Sequence, residues 1–232
     1  MLRLASYNLR KCVGLDRRRD PMRSLDVINS LNADIIALQE SDRRLGRRPA
    51  ALPRKLIAQN SDFVPLDLDE TGVSLGWHGN ALLLRKGLTP NNIQRLGLPG
   101  LEPRGAVIFT VAEMRIVAVH LGLIRRYRLL QMQAITTALA KLPKCPTIII
   151  GDFNEWSRSR GMSPLQDDFT VHAPGLSFHS GRPVAALDRI AISHDIQLKK
   201  AGVLQSSLAK QASDHLPIWA ELNLPKRNFQ LS

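Results

Sequence analysis

Sulfur, aromatic rings and acidic charge are all in short supply in this 232-residue chain. Its two cysteines, Cys12 and Cys145, form no CxxC pair and suggest no disulfide framework, so a reducing, cytoplasmic setting is the default expectation. No apolar run approaches the roughly 20 residues that span a bilayer, and no transmembrane segment is expected. The opening stretch Met1-Leu2-Arg3-Leu4-Ala5-Ser6-Tyr7 lacks the long apolar core of a signal peptide. HExxH and Cys/His clusters are missing, which argues against structural zinc. Walker A and GxGxxG loops are missing too, and no nucleotide or organic cofactor is expected. Aromatics make up only 5% of the chain, leaving Trp77, Trp156 and Tyr127 as the obvious platforms for base stacking. Internal repeats, low-complexity blocks and Pro/Ser-rich linkers are lacking. One domain over residues 1–232 is therefore expected, with a polar tail at 226–232 and a monomer as the default state.

What is present is basic charge and apolar strand-like runs. Lys and Arg total 32 against 20 acidic residues, a net charge of +12 that favours encounter with polyanions such as nucleic acid, anionic headgroups and phosphorylated metabolites. Basic clusters stand at Arg17-Arg18-Arg19, Arg43-Arg44 with Arg47-Arg48, Arg54-Lys55, and Arg125-Arg126 with Arg128. Hydrophobic residues reach 44%, enough for a sizeable core. Runs at 2–7, 34–38, 81–84, 106–111, 115–120, 147–150, 187–192 and 217–222 read as strands. Several are continuously apolar, as in strands covered on both faces. Helical spacing marks 23–31 and 126–142, with a further helix over 50–59. Runs 106–111 and 115–120 form an expected hairpin about Glu113-Met114. The mixture predicts packed sheets flanked by helices.

The polar residues of interest share one placement, at or just beyond the end of an apolar run. Asn8 follows 2–7, Glu40 follows Ile35-Ile36-Ala37-Leu38-Gln39, and His120 follows Val117-Ala118-Val119. Asp152 and Asn154 follow Ile148-Ile149-Ile150-Gly151. Rigid strands can hold several such groups at one cleft. Ser213-Asp214-His215 enters a further strand, and Asp188 begins another. Carboxylates, carboxamides and imidazoles without sulfur form an oxygen-rich set suited to Mg²⁺ or Mn²⁺.

In order, these pieces are Ser6-Tyr7-Asn8-Leu9-Arg10, Asp34-Ile35-Ile36-Ala37-Leu38-Gln39-Glu40, Gly79-Asn80-Ala81-Leu82, Arg104-Gly105-Ala106 and His120-Leu121. They continue with Gly151-Asp152-Phe153-Asn154, Leu187-Asp188-Arg189-Ile190 and Ser213-Asp214-His215-Leu216-Pro217. The ordered set resembles the endonuclease/exonuclease/phosphatase, or DNase I-like, superfamily. The resemblance implies an α/β (α+β) four-layer sandwich, two mixed sheets packed face to face with helices outside. It implies Glu40 as main metal ligand with Asn8 beside it, and Asp214 and Asp152 binding metal or tuning the nucleophile. His215 becomes the general base, oriented by Asp188. Asn154 holds phosphate or the attacking water, His120 serves the leaving oxygen, and Arg104 and Asn80 contact phosphate. Some nucleases of the family carry an acidic residue two positions after the first Asn; here that position is Arg10, which suits substrate phosphate and leaves one metal or two open. The implied activity is metal-dependent phosphodiester hydrolysis, a nuclease on DNA or RNA. A phosphatase or phosphodiesterase of lipid headgroups or small phosphorylated molecules, and a non-catalytic binding module, are the alternatives. The arginines after Glu40 and after His120 are expected to line the cleft, and no amphipathic or aromatic membrane-inserting segment is evident.

Overall fold

In chain order the strands and helices are β1 (Leu2–Asn8), α1 (Pro21–Ser30), β2 (Ile35–Gln39), α2 (Arg54–Asn60), β3 (Phe63–Pro65), β4 (Ala81–Arg85), β5 (Asn91–Leu98) and β6 (Arg104–Val111). There follow β7 (Met114–His120), α3 (Arg125–Ala140), β8 (Thr147–Asp152), β9 (Phe169–His172), β10 (Asp188–Ser193), β11 (Gln197–Val203), α4 (Ser207–Ala212) and β12 (Ile218–Asn223). The computed structural model describes residues 1–43, 46–157 and 160–223; Arg44 and the 226–232 tail lie outside the described residues.

Alternation within the apolar runs assigns the layers. In β2, Ile35 and Ala37 face one core while Ile36 and Leu38 face another. In β8, Ile148 and Ile150 join the first core and Ile149 a third. Both faces of these strands are covered, which is why their sequences are continuously apolar. The first core lies between two six-stranded sheets, ordered β11-β12-β1-β2-β4-β3 and β5-β6-β7-β8-β10-β9. The second packs Leu25, Ile28, Ile57 and Ala209 of α1, α2 and α4 on the first sheet. The third packs Met132 and Ile135 of α3 on the second sheet. The result is the expected four-layer sandwich.

Each sheet contains one parallel pair, β1 with β2 and β7 with β8; the remaining pairings are antiparallel. The carboxyl ends of these four strands, and the starts of their antiparallel neighbours β4, β6, β10 and β12, therefore lie at one end of the sandwich. His120 pairs with Asp152, and Asp152 with Asp188, in direct register. Gly151 is needed at this end: a Cβ there would lie 1.9 Å from the Val119 carbonyl oxygen.

The eight predicted strands are all present, and the four unpredicted ones, β3, β5, β9 and β11, are the four sheet edges. Edge strands expose one side and need no apolar run, and β5 is exposed along most of its length. Helix α1 begins at Pro21 rather than residue 23, because Asp20 caps it by accepting from the Arg23 amide and proline suits the first turn. Helix α2 begins at Arg54 rather than residue 50, since Pro53 sits in extended backbone and Ala50 bridges to Asp42. Helix α4 was not anticipated; its signal is Ser206, whose hydroxyl accepts from the Ala209 amide. The β6–β7 hairpin turns at Ala112-Glu113, both at positive φ, with Met114 already paired to Val111.

Candidate active site

Asp152, buried at the end of β8, is the hub of the site. Its Oδ2 accepts from Asn8 Nδ2 at 3.1 Å, which joins the ends of β1 and β8 across the two sheets. Its Oδ1 accepts from the Asn154 amide at 2.9 Å, and the Asn154 side chain donates to the Leu121 carbonyl at 2.9 Å. Two imidazoles flank the same Oδ2: His120 Nε2 at 3.5 Å and His215 Nε2 at 3.7 Å. The other nitrogen of His215, Nδ1, is 2.8 Å from Oδ2 of the fully buried Asp188. Phe178 closes over His215 with ring centroids 5.0 Å apart, and Trp156, largely exposed, meets Phe178 edge-on at 5.7 Å. Ser213 donates to the Asn8 carbonyl at 2.7 Å, which fixes the Asp214-His215 corner against β1.

Burial and charge set the protonation of this cluster. Desolvation pushes the Asp152 carboxyl up to about 6, only partly opposed by the His215 imidazolium. Burial alone would lower the His215 pKa, but the Asp188 and Asp152 carboxylates outweigh it and raise it to about 10. The negative charge around His215 thus favours its protonated form.

His120 is set differently. Arg104 Nη1 lies 2.7 Å from its Nδ1, and a guanidinium can only donate. Nδ1 therefore accepts, and the ring proton is on Nε2, facing Asp152. Arg104 is itself held by Glu102 at 2.6 Å, whose other oxygen accepts from the Leu123 amide at 3.3 Å.

On the first sheet's side, Glu40 projects from the residue after β2, at φ 49°, into a cleft of about 550 Å³ that it shares with Lys11, Arg43, Arg48, Arg104 and His120. Lys11 is ion-paired with Glu40, and Arg10 Nε lies 3.3 Å from Asp214 Oδ2. Asn80, just before β4, donates to the Gly105 carbonyl at 2.8 Å and so ties the sheets together; among the described residues its buried Oδ1 has no hydrogen-bond partner. All eleven residues picked from the sequence thus come to one end of the sandwich, although Arg10, Asn80 and Arg104 are engaged by protein groups.

Other expectations are corrected. Arg125 and Arg128 do not line the cleft: both are bound by the buried Glu155, at 2.7 and 2.9 Å, and Arg128 is itself buried. Trp77 is no stacking platform, being packed on the inter-sheet core and against Gly105. Tyr127 packs against Gly100. Leu101, Leu123 and Ile124 are exposed, and Leu123 lines the cleft beside Glu102. Sequence reading passed over Lys11, Glu102 and Phe178. Lys11 had a visible signal, its place next to Arg10 in the first motif; the other two had none.

The fold and this junction of strand ends define a class, the four-layer sandwiches that gather acid–base and oxygen ligands at one end of two joined sheets. Residues 5–215 match the Endonuclease/Exonuclease/phosphatase family, and the chain belongs to that family, whose members hydrolyse phosphate esters and generally use divalent metals. No curated protein matches the chain. Among solved structures it is similar to a functionally unknown conserved protein from Enterococcus faecalis, with 20% identity, TM-score 0.74, and coverage of 96% of this chain and 99% of that one. It is similar to a humanized D. rerio TDP2, with 15% identity, TM-score 0.75, and coverage of 96% and 99%. It is also similar to a mannosyl-6-phosphatase from Bacteroides thetaiotaomicron, with 17% identity, TM-score 0.73, and coverage of 97% and 100%. Among the described residues no helix is long and apolar enough to cross a membrane.

The residues present fit a hard divalent cation. Glu40, Asp214 and Asp152 offer carboxylate oxygens, Asn8 offers a carboxamide oxygen that also accepts from the Arg10 amide, and the Glu40 and Asp214 side chains are part-exposed. Ligand atoms of Asp152, Asp188 and His215 also lie within 4.8 Å of one another and could hold an ion. Coordination by His215 Nδ1 there would cost its bond to Asp188, so that trio suits proton handling better.

Proposed function

We propose that this protein is a divalent-metal-dependent phosphodiesterase of nucleic acid that cleaves by in-line attack of water. The observation that carries this reading is the His215 imidazole, held at Nδ1 by buried Asp188 and turned at Nε2 toward Asp152, opposite a second imidazole with a fixed tautomer. His215 Nε2 takes the proton of the attacking water as its oxygen bonds to phosphorus. Asp152 and Asn154 position that water, and Asp188 stabilises the imidazolium that forms. The P–O bond to the leaving group breaks as His120 Nε2–H donates to the departing oxygen. Arg104, Arg43 and Arg48 hold substrate phosphates, and more than one such contact favours a polymer over a single monoester. Glu40, Asp214, Asp152 and Asn8 would hold the cation. Bound there, it would neutralise phosphoryl charge and, by offsetting the carboxylates around His215, return the imidazole toward its basic form.

Parallel assays on supercoiled plasmid, bis-p-nitrophenyl phosphate and p-nitrophenyl phosphate, with and without EDTA, test this reading. Expected are plasmid nicking and diester cleavage that exceed monoester cleavage, vanish in EDTA and fall steeply with salt. Preference for the monoester, or activity that survives EDTA, would sink it. A second reading has one specific observation behind it, the exposed Leu101, Leu123 and Ile124 beside the leaving-group side of the cleft. They would suit the acyl end of a lipid whose headgroup phosphate is cleaved. Faster hydrolysis of phospholipid vesicles than of plasmid would favour it.

A further inference from the structure

The two part-exposed carboxylates offered to the cation are each faced by a positive side chain from a single turn. Residues 10, 11 and 12 all adopt left-handed backbone, at φ 46°, 59° and 57°. That conformation is unfavourable for non-glycine residues and persists only where neighbours enforce it. The enforcing bonds are local: the Lys11 amide donates to the Glu40 carbonyl at 3.0 Å, the Arg10 amide to Asn8 Oδ1 at 3.0 Å, and Arg19 Nε to the Lys11 carbonyl at 3.2 Å. The turn is therefore fastened to Glu40 and Asn8, and it delivers Lys11 Nζ onto Glu40 Oε2 and Arg10 onto Asp214. Both Lys11 and Glu40 line the open cleft, so the pair sits where ions and substrate enter.

We propose that Lys11 is a built-in competitor for the cation site at Glu40: its ammonium must leave the carboxylate before a divalent ion can bind. The inference rests on the reading that Glu40 is a cation ligand. A unit charge within about 4 Å of the site opposes a divalent ion directly, and the part-exposed position screens this only partly. The released ammonium stays in a cleft already lined by Arg43, Arg48 and Arg104, where an incoming phosphate would take it up. Substrate and cation would then bind cooperatively, because each relieves the cost of moving Lys11 for the other.

Mn²⁺ binding to the full chain, followed by the paramagnetic resonance of free Mn²⁺, tests this without reference to turnover. Lys11→Met and Lys11→Gln should each bind Mn²⁺ roughly tenfold more tightly than the parent chain. Arg43→Met removes a cleft charge that does not touch Glu40 and should change affinity by less than about twofold. Glu40→Gln should weaken binding and cancel the gain in the double variant with Lys11→Met. If Glu40→Gln weakens binding while neither Lys11 variant tightens it, or Arg43→Met tightens it equally, the competitor role is overturned and the ligand reading survives. If Glu40→Gln leaves Mn²⁺ affinity unchanged, the ligand reading itself falls. Two Lys11 substitutions keep the comparison open if one folds poorly.

Discussion

Asp152 and Glu40 are the same functional group at equivalent places, each ending one member of a parallel strand pair, yet their surroundings are opposite. Asp152 is buried, held by amide donors and flanked by two imidazoles, and desolvation outweighs the His215 charge to raise its pKa to about 6. Glu40 is part-exposed, faces a cleft of cations and is paired with Lys11. A buried carboxylate with fixed partners suits proton handling and the placing of water. An open one with an exchangeable partner suits a ligand that comes and goes. The contrast teaches that residue type and strand position name a candidate, while burial and neighbours decide its use.

The sharpest way to break the contrast is at its buried pole. His215→Ala should lower kcat on bis-p-nitrophenyl phosphate by about 10³–10⁴-fold with Mn²⁺ affinity unchanged; normal turnover would remove His215 from the base role. Asp152→Asn should cost about 10²–10³-fold, and no excess of Mg²⁺ should restore it, because placement is lost along with charge. At the open pole, Glu40→Gln should raise the Mg²⁺ concentration for half-maximal activity by roughly tenfold, with most of kcat regained at saturation. A defect that Mg²⁺ cannot cure would make the two poles alike.

The smallest effect on turnover is expected at Glu155, the carboxylate that captured Arg125 and Arg128. Burial would raise its pKa, but these guanidiniums hold it down at about 2 against an ordinary 4.5. A depressed folded pKa means that the stabilisation is fully present above about 4.5 and is lost as pH falls toward 2. Glu155→Gln should therefore cost about 3 kcal/mol in denaturant unfolding at pH 7, leaving Arg128 buried without its counter-charge. The gap from the parent chain should close through that acid window while KM at pH 7 barely moves. A gap that stays constant down to pH 2 would show that packing, not the ion pairs, is what the substitution removes.

Particular residues show how much could be read in advance. The inner strands were legible because both faces of β2 and β8 are covered, which writes burial as an unbroken apolar run. The four edge strands were not, since one open side removes that requirement. Asn8, Glu40, His120, Asp152, Asp188 and His215 were legible as polar residues punctuating strand ends. Arg125 and Arg128 were misread because nothing local distinguishes a free guanidinium from one captured by a carboxylate some thirty residues away. Lys11 stood next to Arg10 in the first motif, but its pairing could not be read because Glu40 is distant in sequence.

The amino-acid sequence by itself determined which strands are buried on both faces, where they end, and which oxygen and nitrogen groups stand at those ends. Periodicity and side-chain chemistry are local properties, and they needed no partner to be read. Beyond the Asp188–His215 pair that the family resemblance implied, only the tertiary structure decided which charge meets which: Arg104 on His120, Lys11 on Glu40, Glu155 on two arginines. Those choices follow from sheet register and layer packing, and the energy of a charge depends on what surrounds it in space rather than on what precedes it in the chain.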